Sequence, residues 1–156
     1  MKGLLIKSEK GFTLIEIVIV IMVFAIIAGL SLTYFQSSQL SADLNKESTI
    51  LVSNMRLVQG NAVSGNTIEP TSIHFDDISY TLFLGDTYNP LTITNELIEL
   101  PSTVSLSGIA LSGGENDLIF EGPAGETSTY GTLNIVSSAL NKTIPINITE
   151  IGTINY

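Results

Sequence analysis

The sequence predicts an α+β protein: a long N-terminal α-helix, its first half transmembrane, packed on a small C-terminal domain of antiparallel β-sheet. Three observations predict it. Residues 12–35 form one apolar block, with no polar side chain between Ile17 and Leu30. Leu40, Leu44, Leu51, Met55 and Val58 then recur at spacings of four, seven, four and three, which places them on one helix face. From Thr67 the composition changes to Thr, Ser, Asn, Gly and Ile in short alternating runs separated by turn residues.

The chain divides into a basic leader (1–11), an apolar helix (12–35), an amphipathic continuation and exit (36–64) and a β-rich domain (65–156). The 24 residues of the block rise roughly 36 Å as a helix, enough for a hydrocarbon core of ~30 Å. Its β-branched residues do not argue for a strand, because a lone segment in lipid satisfies its backbone only as a helix. Lys2, Lys7 and Lys10 precede the block and almost no basic residue follows it, which orients the N-terminus to the cytoplasm. A secretory signal peptide fits less well, since the block is long and no A-x-A site follows it.

The amphipathic stripe continues the helix without a proline, and Gly60 and Gly65-Asn66 mark its exit. Beyond it the alternation predicts strands at 72–75, 80–84, 91–94, 104–111 with a break at Gly108, 118–120, 132–136, 143–149 and 153–156. Pro145 interrupts the alternation of Ile144, Ile146 and Ile148 and demands an edge or a non-bonded position.

Composition excludes much chemistry. Of 156 residues, 15 are acidic and 6 basic, a formal net charge of −9, which disfavours a nucleic-acid partner. There is no cysteine and a single histidine, so disulfides, thiolate sites and paired-histidine zinc motifs are absent. His74 reads as a core-edge residue between Ile73 and Phe75. Asp76-Asp77, Glu115-Asn116-Asp117 and Asp86 with Asn89 lack the alternating spacing of a calcium loop and read as solvated turns. No cofactor, no metal and no enzymatic activity are expected.

Two details exceed a plain anchor. Gly11 stands at the junction of leader and block, and a carboxylate, Glu16, stands inside the block. A charge there costs about 2.5–3.5 kcal/mol and calls for a partner. The run Lys10-Gly11-Phe12-Thr13-Leu14-Ile15-Glu16 resembles, without interruption, the signature of type IV prepilins and type II secretion pseudopilins.

The resemblance implies a pilin-like fold and cleavage after Gly11 by a membrane prepilin peptidase, followed by N-methylation of Phe12. It implies that Glu16 neutralises the N-terminal amine of a neighbouring subunit during assembly. Its implied partners are the peptidase, other pilins or pseudopilins, the inner-membrane assembly platform and membrane lipid. The expected location is the cytoplasmic membrane, single-pass, with the C-terminal domain periplasmic or extracellular, and the filament after assembly. Physical chemistry agrees: a buried ammonium and a buried carboxylate are costly apart and tolerable as a pair.

Further along, Ile73-His74-Phe75, Tyr80-Thr81-Leu82-Phe83, Leu118-Ile119-Phe120 before Gly125, Gly131-Thr132-Leu133 and a final isoleucine-rich strand with Gly152 resemble the H-type minor pseudopilins (GspH/FimT domain). Some of that branch bind DNA through basic residues. After cleavage this chain would keep three basic against 14 acidic residues, a charge of −11, so no nucleic acid is expected. The competing expectation is a single-pass anchored β-domain that binds an extracellular ligand outside any filament.

Overall fold

The computed structural model describes residues 11–65 and 71–156, apart from the side chains of residues 30–34. The leader, residues 1–10, lies outside the described residues. The chain forms two compact units, residues 1–38 and 39–156.

The first unit holds the start of α1, a helix that runs over Leu14–Ser64. Its side chains from Leu14 to Ile27 face solvent: of the large apolar ones, Leu14 is 83% exposed and Val18 44%. The predicted transmembrane stretch, 12–35, includes residues 30–34, whose side chains lie outside the description. Among the described residues, no helix is long and apolar enough to cross a membrane.

The second unit begins within α1 and matches the predicted helix-plus-sheet architecture. Leu44, Leu51, Met55 and Val58 are fully buried, Val52 joins them, and Leu40 is half-buried. α1 does not stop at Gly60. It ends at Gly65, whose φ of +60° reverses the chain as a helix C-terminus requires. Gly60 is exposed on the helix and costs only propensity.

Eight strands form two antiparallel sheets. The first has the order β3-β2-β1-β5, with β1 Thr71–Phe75, β2 Ser79–Leu84, β3 Glu96–Glu99 and β5 Asp117–Ile119. The second has the order β4-β6-β7-β8, with β4 Ser105–Leu111, β6 Gly131–Ser137, β7 Lys142–Ile148 and β8 Ile154–Asn155. Inward residues of both sheets (Ile73, Phe75, Tyr80 and Leu118; Leu133, Ile135, Ile146 and Ile148) share one core with the α1 stripe.

The predicted strand at 91–94 is not a strand. The amide of Leu91 donates to Asn89 Oδ1 (3.0 Å), that of Thr92 to the Asn89 carbonyl (3.1 Å) and that of Asn95 to the Thr92 carbonyl (3.2 Å). The amides a ladder would need are used within the loop, so pairing starts only at Glu96. The break at Gly108 is a bulge, with the β4–β6 register shifting between Ser107 and Ala110 and Gly108 at φ +57°. Pro145 satisfies its constraint locally. The Thr149 amide donates towards β8, and alternation turns the nitrogen of residue 145 the same way. There β8 pairs only with Asn147 and Ile148, so no ladder bond is missing.

Candidate functional site

The residues singled out in the sequence meet at the start of α1. Gly11 and Phe12 lie ahead of the helix without regular structure, and Phe12 is 80% exposed. Thr13 closes the helix end. The Glu16 amide donates to Thr13 Oγ1 (3.3 Å) and to the Thr13 carbonyl (3.1 Å), and the Ile17 amide to the same carbonyl (3.3 Å). Thr13 with an acid three positions on has the spacing of a capping box. Glu16 is the acid of the first turn, where the helix dipole favours a negative charge.

The capping role of Thr13 is not among the sequence expectations, although its spacing to Glu16 announces the cap. The cap matters because it fixes where the helix begins. The segment before it, Gly11-Phe12, is exposed and without regular structure. After it the helix is apolar on every face, and each described side chain up to Ala28 is exposed. A helix apolar all round needs cover on all sides, and this chain supplies none among the described residues.

The β-rich unit contains a second polar cluster. His74 and Asp117 are register partners on β1 and β5. The His74 Nδ1–H donates to Asp117 Oδ1 (2.5 Å), and Nε2 lies 3.6 Å from Asp76. Asp117 is buried, and the Tyr88 ring covers the imidazole. Residues that looked like separate turns in the sequence are therefore joined. Among the described residues, no group of three His, Asp or Glu could hold a metal ion. The pair closes the outer face of the first sheet.

At the helix–sheet junction, Asn54 Nδ2 donates to the Tyr80 hydroxyl (2.7 Å). Burial pushes the Tyr80 phenol above its usual value of 10, the Asn54 bond opposes this, and the charges of Glu47 and Glu96 reinforce it. Nearer the helix end, the Gln59 side-chain amide donates to the carbonyls of Gly125 and Gly152, both at 2.8 Å. This holds two separate loops on α1.

Residues 6–32 match the family model of the prokaryotic N-terminal methylation motif. The chain carries a prepilin-type N-terminus. The match contains the Gly11-Phe12 junction, the Thr13 cap, Glu16 and most of the apolar block, and it stops short of the β-rich unit. It supports a type IV pilin-like chain that is processed by prepilin peptidase and assembles with other pilins. No curated protein and no solved structure matches the prepilin-type chain.

Proposed function

We propose that this prepilin-type chain is a minor pilin or pseudopilin, a non-enzymatic structural subunit of a type II secretion pseudopilus or a type IV pilus-like filament. The observation that carries the reading is the helix start: a methylation motif joined directly to a stretch of α1, residues 17–29, that is apolar and exposed on every face, with one carboxylate just before it in the first turn. Before assembly the apolar segment 12–35 would lie in the cytoplasmic membrane, N-terminus inside and the β-rich unit outside. After assembly neighbouring helices would replace the lipid.

Cleavage after Gly11 places an α-amine on Phe12, four residues before Glu16. Phe12 lies just ahead of α1 and Glu16 in its first turn, so an axial stagger on the order of one helical turn, about 5.4 Å, brings Glu16 of one subunit level with the amine of the next. Pairing relieves two buried charges at once and favours that register. The assembly platform would supply the force that moves subunits out of the bilayer.

The test is intact-mass spectrometry of the membrane-extracted protein, expressed with its own peptidase. The expected product begins at methyl-Phe12, and Gly11→Val abolishes it. A chain cut near Leu32, or one left uncut with active peptidase present, refutes the reading.

A further inference from the structure

The β2–β3 hairpin carries an apolar projection at one end and a groove at the other. At the first end, the loop joining the strands exposes Leu91 (87%) and Ile93 (99%) to solvent. This tip is held in shape: Asn95 Nδ2 donates to the Asn89 carbonyl (2.9 Å), adding to the three amide bonds inside the loop, and Tyr88 ties its base to His74. At the far end, where Ser79 pairs with Glu99, lies a groove of about 690 Å³ lined by Ile78, Leu100, Pro101, Thr103 and Val104. The Thr103 hydroxyl is buried and has no hydrogen-bond partner among the described residues.

Resting on the filament reading above, we propose that the 91–93 tip of one copy of this chain seats in the groove of the next copy. Tip and groove belong to one hairpin and lie at its opposite ends. A displacement along the strands therefore brings one to the other, a head-to-tail contact that does not close on itself and so suits an open helical array. The tip, Leu-Thr-Ile-Thr, is uncharged, and Glu99 is the charged residue lining the groove. Lipid is the weaker occupant, because Asp86 and Glu96 flank the tip and anionic headgroups repel them.

Two side chains bury far less than the ~1,200–2,000 Å² of a stable interface. The contact therefore acts only between copies whose helices already hold them together, at effective concentrations of about millimolar. It selects the rotational register of neighbouring β units.

The chain has no cysteine, so introduced thiols report cleanly. Full-length copies bearing Ile93→Cys and Ser102→Cys, with different tags, are expressed together with the peptidase and oxidised in membranes. Helix contacts are read separately from cysteines placed in turn at positions 19, 20, 21 and 22. The expected result is 93–102 crosslinking several-fold above a 93–128 control pair made with Ser128→Cys, falling to the control level when Leu91→Ser is added. Helix crosslinks without 93–102 crosslinks above control overturn the tip-in-groove contact and leave the filament reading standing. Loss of both overturns the two together.

Discussion

The imidazole of His74 lies flat against the ring of Tyr88, with centroids 3.9 Å apart and planes 9° from parallel. Phe83 meets the same tyrosine edge-on at 5.4 Å. Tyr88 thus roofs the outer face of the first sheet, and the buried Asp117 carboxylate below depends on His74 for its hydrogen bond. His74→Ala should cost roughly 1–3 kcal/mol, because a buried acceptor loses its partner. Amide exchange at residues 86–92 should accelerate as well. Chemical denaturation and hydrogen exchange on a fragment beginning at Ser37 check both. An unchanged loop would show that Tyr88 is held by Phe83 alone.

Tyr80 predicts an alkaline limb of stability. Its folded phenol holds the proton more tightly than the unfolded one, since its pKa is raised from 10. Below pH 10 both states are protonated and the contribution is complete. As pH rises past 10 the unfolded chain releases the proton first, and stability is lost until the folded phenol ionises too. Melting temperatures between pH 8 and 11 should fall less steeply for Tyr80→Phe. At pH 7 the same variant should lose about 0.5–1.5 kcal/mol with the Asn54 bond. Parallel pH slopes would contradict the assignment.

The α1 stripe predicts a contrast between neighbours. Leu51 is fully buried and Leu57 is 55% exposed. Leu51→Ala should cost roughly 2–5 kcal/mol, whereas Leu57→Ala should stay within about 0.5 kcal/mol. Equal losses in urea titrations would mean that the helix face is assigned wrongly.

Gln59→Ala leaves the Gly125 and Gly152 carbonyls without its amide and should cost roughly 1–3 kcal/mol. Gly152→Ala attacks the same place from the other side. A Cβ there would stand 2.0 Å from the Gly125 carbonyl oxygen, at a φ of +77°. Thermal melts of both variants should drop, with the alanine at 152 the more damaging. A neutral Gly152→Ala would show that the 149–153 turn can move away.

Glu16→Ala separates cap from assembly. The helix end keeps the Thr13 bonds, and the segment becomes more apolar, so insertion and cleavage after Gly11 should persist. Crosslinking to other pilin-like subunits should fall, because the neighbour's ammonium loses its partner. Normal incorporation would reduce Glu16 to a first-turn acid.

Most of the architecture was legible because it follows from periodicity. The stripe from Leu44 to Val58 and the alternation in β6 and β7 are backbone-independent signals of a buried face. Leu91-Thr-Ile-Thr carries the same alternation yet forms a loop, because Asn89 and Asn95 supply side-chain bonds that outcompete pairing. The helix start was legible from a contiguous motif. The His74–Asp117–Tyr88 cluster was not, since His74 and Asp117 are 43 residues apart and meet only through strand register. Gln59 was equally silent, as its acceptors are backbone carbonyls that no sequence pattern marks.

The Gln59 clasp also sets an order of events. Its acceptors lie 66 and 93 residues further along the chain, and contacts of such separation form late, after the intervening loops have closed. The helix end is therefore fully fastened only once residues 125 and 152 have both joined the fold. A chain trimmed before Gly152 should lose half of this clasp and loosen the loop that carries Gly125, so that cutting far from the helix in sequence would be felt at its end.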